Sequence, residues 1–256
     1  MRVDMAMAEG EVVLDGLMEP TQVISDGAQL FIIEAGQKRV LRWAPGEAEA
    51  QVVASFVTAP VAMAAGESFV VVATDEQIVW VGYDIGTQAT LIDGLDGVGS
   101  VIIVDDQLWF SELGTANLAN AQVAQIGLSG GTPMTLVDQS ILQGVFRVPQ
   151  LTWDAATSRL VFAIVLDGWP YAGLIVRAQT TGGQLEVITH GPPKMGPILI
   201  TPEGIVVGSE RTVLRASLGE AYETLGPWSS ASSVATDGQG AVAWTDRHAG
   251  VLWLSE

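Results

Sequence analysis

Apolar residues along the chain fall into short runs of Val, Ile, Leu, Phe and Trp, and Gly, Pro or Asp closes nearly every run. No stretch sustains the spacing of an amphipathic helix, so the pattern predicts an all-β protein built of many short strands. The runs also repeat. An apolar motif recurs at Leu30-Phe31-Ile32, Phe69-Val70-Val71, Leu108-Trp109-Phe110, Leu160-Val161-Phe162, Ile205-Val206-Val207 and Val242-Ala243-Trp244, with spacings of 39, 39, 52, 45 and 37 residues. Such a period is that of four-stranded propeller blades.

Each motif reads as the second strand of its repeat. An extended segment closed by a turn acid precedes it, as at 21–26, 100–105, 149–154 and 232–237. Third strands follow at 40–43, 78–81, 123–126, 175–178, 213–216 and 251–254, and fourth strands at 51–54, 90–92, 135–137, 185–188 and 222–225. The sixth repeat has no fourth strand of its own. Glu11-Val12-Val13-Leu14 supplies one: Val13 to Thr21, Val53 to Val61 and Ile92 to Ser100 are each eight residues apart. An unclosed ring would leave an edge of unpaired backbone groups. The prediction is one six-bladed β-propeller over residues 11–256, its last blade closed by the N-terminal strand, with residues 1–10 as an extension.

The third-strand sequences Val40-Leu41-Arg42, Ile175-Val176-Arg177 and Val213-Leu214-Arg215 are followed by turn glycines at Gly46, Gly182-Gly183 and Gly219. In these features the chain resembles the broad NHL/SMP-30-like class of six-bladed propellers, including the propeller-repeat proteins of myxobacteria. The resemblance implies blade architecture and little about activity, because the fold carries lactonases, lyases, sugar binders and interaction modules alike.

Charge narrows the partners. The 256 residues include 11 Lys+Arg against 29 Asp+Glu, a formal charge of -18, so a phosphate-binding groove for nucleic acid and an anionic membrane surface are both disfavoured. With 48% hydrophobic and 16% charged residues the chain can still build a core. The longest apolar run, 160–166, is far short of a spanning helix, and residues 1–10 lack the apolar stretch of a signal peptide. Cysteine is absent, which removes thiolate chemistry and leaves the redox compartment open.

Candidate chemistry is sparse. Gly127-Leu128-Ser129-Gly130-Gly131 matches a nucleophile elbow in letters, but no helix follows it and the next repeat has a hairpin there, so it reads as a turn. Asp93-Gly94-Leu95-Asp96-Gly97 and Asp105-Asp106 lack the alternating acids of a calcium loop and read as turns too. Glu19-Pro20, at the start of the first inner strand, is similar to the metal-ligating Glu-Pro of SMP-30-like lactonases. That resemblance implies Asn and Asp ligands at other inner strands, whereas Asn117 and Asn120 share one loop. His190 and His248 are the only histidines. Virginiamycin-B-lyase-like propellers are similar in placing His near the channel mouth. Among the eight tryptophans, Trp43, Trp80, Trp109, Trp244 and Trp253 lie within strands and are expected between blades; Trp153 ends an inner strand; Trp169 and Trp228 fall outside strands.

In an up-and-down blade, the loops after strands two and four open on one face. The long excursions, 113–121, 139–148, 167–173, 190–196 and 226–230, all belong to that face, and they carry Arg147, Trp169, Tyr171, His190, Lys194 and Trp228. Binding residues concentrate on loops over a rigid scaffold. The sequence therefore predicts a non-catalytic module that binds a protein or saccharide through this face, without a cofactor. The alternative is a small lactonase-like hydrolase or lyase using Glu19, His190 or His248 at the channel mouth, with a divalent cation such as calcium in the channel.

Overall fold

The computed structural model describes residues 11–83, 86–138, 140, 146–166, 173–182, 185–191, 198–201, 204–208, 213–216, 223–226, 231–236, 242–246 and 251–255. The chain opens with β1 (Glu11–Leu14). The first sheet then runs β2 (Pro20–Ser25), β3 (Leu30–Glu34), β4 (Arg39–Trp43), β5 (Gln51–Ser55). The second has β6 (Ala62–Ala65), β7 (Phe69–Ala73), β8 (Gln77–Gly82), β9 (Gln88–Asp93). The third has β10 (Val98–Val104), β11 (Gln107–Glu112), β12 (Gln122–Gly127), β13 (Met134–Asp138). The fourth has β14 (Phe146–Asp154), β15 (Arg159–Leu166), β16 (Gly173–Ala178), β17 (Glu186–Gly191). The fifth has β18 (Ile198–Thr201), β19 (Gly204–Gly208), β20 (Val213–Ala216), β21 (Glu223–Gly226). Last come β22 (Ala231–Thr236), β23 (Val242–Asp246), β24 (Val251–Ser255), with β1 as their fourth strand.

Among the described residues there are six four-stranded antiparallel sheets, five of them sequential meanders and the sixth completed by β1. β1 pairs with β24 through Glu11↔Leu254 and Val12↔Trp253, so the first and last described strands share one sheet. The inner strands of successive sheets lie side by side: β22 against β2, β2 against β6, β6 against β10, β10 against β14 and β14 against β18. Among the described residues no helix is long and apolar enough to cross a membrane.

The core is a series of layers between these sheets, and the second strands explain the apolar motif. In β3, Leu30 and Ile32 pack with Leu17, Leu41 and Trp43 and with Val13 and Leu14 of β1, whereas Phe31 and Ile33 turn to Val70, Val72 and Met63 of the second sheet. In β7, Val70 and Val72 face the first sheet while Val71 and Ala73 face Leu108 and Phe110 of the third. Leu160, Phe162 and Ile164 look to the third sheet, and Val161 and Ala163 to Ile198 and Ile205 of the fifth. Side chains alternate across a strand, so a strand sandwiched on both faces must be apolar at every position.

This facing also corrects the alignment of the repeat. The hairpin pairs Ser25↔Leu30, Ala65↔Val70 and Ile103↔Leu108 are equivalent, so the counterpart of Leu30 is Val70 rather than Phe69. A one-residue slip exchanges the two faces of a strand. Phe69 instead sits in the hairpin, stacked on Trp80 at 5.6 Å, and a Cβ on Gly66 would meet its ring at 2.4 Å. Trp43 and Trp109 are buried between sheets, as expected, and Trp153 packs half-buried against the layer between the third and fourth. Two of the arginines that end the third-strand motif are cross-strand clamps. Arg42 donates to Gln51 at 2.6 Å, and Arg177 grips Glu186 through Nε at 2.7 Å and Nη2 at 2.6 Å.

Candidate functional site

Antiparallel order brings the end of each second strand and the start of each first strand to the same face, the one with the long excursions. There the first and third sheets share one device. Glu34, the last residue of β3, is 1% exposed; its Oε1 accepts the amide of Met18 at 2.7 Å and its Oε2 accepts Nε–H of Arg39. Glu112, the last residue of β11, accepts the amide of Asp96 at 2.6 Å and Nε2–H of Gln122 at 2.9 Å. In both sheets the first strand shifts register opposite the acid, between Pro20 and Gln22 and between Val98 and Ser100. The sixth sheet repeats the pattern at backbone level: β23 ends in Asp246, and the register shifts between Ala231 and Ser233. The second sheet has Thr74 at the corresponding position and an unbroken ladder. The acid thus holds the chain where a bulge lets it swing into the inner strand.

From the third sheet outward, Asp96 organises the excursion at 113–121. Its carboxylate accepts from Ala116 N–H at 2.6 Å, Asn117 N–H at 2.8 Å, Thr115 Oγ1–H at 2.8 Å and Asn120 Nδ2–H at 3.1 Å. The Ala116 amide leads these donors in holding the Asp96 carboxyl down at about 2, because each bond favours the charged form. Leu118–Asn120 forms a short 3₁₀ turn within the loop. What reads as a turn in the sequence is the anchor of the longest described excursion.

Glu19 is exposed, with φ 51, and its carbonyl accepts the amide of Ala35 at 3.1 Å. The equivalent residue of the third sheet is Gly97, at φ 78, whose carbonyl accepts Leu113 N–H at 2.6 Å. The position wants a left-handed backbone, which glycine adopts freely and glutamate does not. Arg147 and His190 lie in strands rather than loops. Arg147 is in the inner strand β14 opposite Val165, and His190 is in the outermost strand β17 opposite Leu174. His190 is therefore on the outer edge of the fourth sheet, not at the channel mouth. Two strands separate it from β14, roughly 14 Å at the usual strand spacing. Trp169, Tyr171, Lys194, Trp228 and His248 lie outside the described residues. Among the described residues, no three His, Asp or Glu side chains converge as a metal-binding group.

Along the inner strands, side chains bridge the sheets where backbones diverge. Gln22 accepts the amide of Met63 at 2.7 Å and donates to its carbonyl at 3.2 Å, and Ser233 donates to the carbonyl of Val23 at 3.3 Å. Gly99 sits so close to the fourth sheet that a Cβ would lie 2.7 Å from the carbonyl oxygen of Val148.

Solved structures with this arrangement settle the architecture. The chain superposes on a PQQ-bound aldose sugar dehydrogenase from Streptomyces coelicolor with a TM-score of 0.72 and 12% identity, covering 97% of this chain and 99% of that one. The fold is a β-propeller. The WD40 β-propeller domain of Doa1 matches at a TM-score of 0.66 and 12% identity over 98% of both chains. An oligogalacturonate lyase in complex with manganese matches at 0.62 and 13% identity, over 94% of this chain and 77% of that one. No protein-family profile matches the sequence, and no curated protein sequence does either. At these identities the propeller fold is what the neighbours share with this chain.

Proposed function

We propose that the chain is a six-bladed ring, latched by β1, that serves as a binding module for a protein or saccharide on the face of the long excursions. The six sheets and the β1–β24 pair support the ring. The observation that carries the binding reading is how the carboxylates of that face are used. Glu34, Glu112 and Asp96 each spend their oxygens on amides and side chains of the adjoining loops. Acids committed to fixing backbone are not poised to transfer protons; they build a preorganised surface. Trp169, Tyr171 and Trp228 would supply stacking area, and Arg147 and Lys194 local positive charge on a chain of -18. The test is capture of partners from a source lysate and on a glycan array, by wild type and by a Trp169→Ala/Trp228→Ala double variant. Loss of binding with an unchanged melting temperature supports the reading. Binding unchanged in the variant places the site elsewhere.

A second reading draws on one observation, the left-handed backbone of Glu19, since strained residues cluster at functional sites. It makes the chain a hydrolase or lyase with Glu19 and His248 as its polar groups and a divalent cation such as calcium in the channel. Calorimetric titration with calcium separates the two: a saturable heat, abolished by Glu19→Gln, favours the enzyme.

A further inference from the structure

On the outer flank, reaching the loop face at Glu34 and Leu17, a groove of ≈ 520 Å³ runs between β1 and the first sheet. One wall carries Val12 and the other Val52, which are 42% and 39% exposed, and buried Leu41 forms the floor. The two valines give the groove an aliphatic contact in a lining whose surface is otherwise mostly polar. β1 is the outer edge of the sixth sheet and β5 that of the first, so the groove follows the strands. It extends from Arg39 to Ala50, beside Gln51, which pairs with Arg42. Three residue steps of a strand cover about 10 Å, the length of three to four extended residues.

The charges of the groove select the occupant. Asp15 lines it beyond the end of β1, and Glu49 lines it in the loop before β5. The single cation, Arg39, is engaged by buried Glu34, so one guanidinium stands against three carboxylates. The register of β1 breaks between Val12 and Leu14, a bulge that interrupts strand addition and leaves recognition to side chains. We propose that this groove binds an extended peptide segment with an aliphatic residue at its centre and a basic residue two positions to either side. In an extended chain those three side chains share one face, so the aliphatic group meets Val12, Val52 and Leu41 while the basic groups meet Asp15 and Glu49.

Fluorescence anisotropy with three labelled pentapeptides tests this: Lys-Ser-Val-Ser-Lys, the same peptide with Gly at the centre, and the same with Glu at both ends. The full chain should bind the first at least about tenfold more tightly than either other, and more weakly as salt rises from about 50 to 500 mM. Val52→Ser and Glu49→Gln should each weaken it several-fold, with melting temperatures close to wild type because both residues are exposed. Equal affinity for the three peptides, or wild-type affinity in a Val52→Ser/Glu49→Gln double variant, overturns the proposal. Concentration-dependent self-association that the double variant abolishes would seat a second copy of the chain there and overturn it as well.

Discussion

Glu34→Ala removes a carboxylate that is 1% exposed and bound on both oxygens. Breaking a fully buried ion pair costs about 3–5 kcal/mol, because the remaining charge is left without a partner. Here the remaining partner, Arg39, is 36% exposed and can rehydrate, which brings that part down to about 2 kcal/mol. The Met18 amide also loses its acceptor in a partly buried loop, a further ~1 kcal/mol. Together the loss is about 3 kcal/mol, or roughly 6–12 °C in melting temperature for a domain of this size. Glu34→Gln keeps an acceptor for Met18 and should lose about half as much. Thr74→Ala in the second sheet, where the hydroxyl only reaches a carbonyl at 3.5 Å, should cost less than about 1 kcal/mol. The assay is urea unfolding followed by tryptophan fluorescence, with Arg39→Ala completing a double-mutant cycle. A Glu34→Ala chain that melts within about 2 °C of wild type would refute the idea that this acid anchors the entry of the first strand.

Four more outcomes are expected. The Asp96 carboxyl is held at about 2 against an ordinary 3.8, so its hold on the loop is complete above 3.8 and fades as pH falls toward 2; exchange protection of the Ala116 and Asn117 amides should drop across that window and be pH-independent there in Asp96→Asn. Deleting residues 1–14 removes the partner of β24 and the packing of Val13 and Leu14, and should cost several kcal/mol, on the order of 25 cal/mol per Å² of apolar area lost; calorimetry showing an unchanged melting temperature would refute it. Glu19→Gly should stabilise the chain by about 1 kcal/mol in chemical denaturation, by relieving a left-handed glutamate. Ser129 lies in a tight turn closed by Gly130 N–H to the Gly127 carbonyl at 2.9 Å, so a fluorophosphonate probe should leave it unlabelled.

The fold was legible because its logic is local. A strand covered on both faces leaves an unbroken apolar run, and the runs at Leu30, Leu108 and Leu160 announce themselves. Phe69 misled the alignment because an aromatic stacked over a hairpin looks, in sequence, like one more core residue. The site was harder for a physical reason. Glu34 meets an amide 16 residues away, and Asp96 meets donors 19 to 24 residues away, and composition does not say which amide an acid will find. One signal was present: an acid closes the apolar run at Glu34, Glu112 and Asp246, in three of the four sheets whose first strand shifts register; the fourth sheet shifts as well, although its second strand ends in Leu166. His190 and Arg147 were expected in loops because excursions and strand ends share the same polar residues, whereas pairing opposite Leu174 and Val165 puts both inside the fourth sheet.

The pairing of β1 with β24 also sets a timetable for synthesis. Val12 leaves the ribosome roughly 240 residues ahead of its partner Trp253. At about 5–20 residues per second that is an interval of some 12–50 s. Throughout it, Val12, Val13 and Leu14 have no strand to join, and the sheets between them fold one after another from locally paired hairpins. A nascent chain of this design must keep a short unpaired apolar strand from finding a neighbour's edge on the same polysome. Slowing elongation should lengthen that exposure and raise the yield of misassembled multimers.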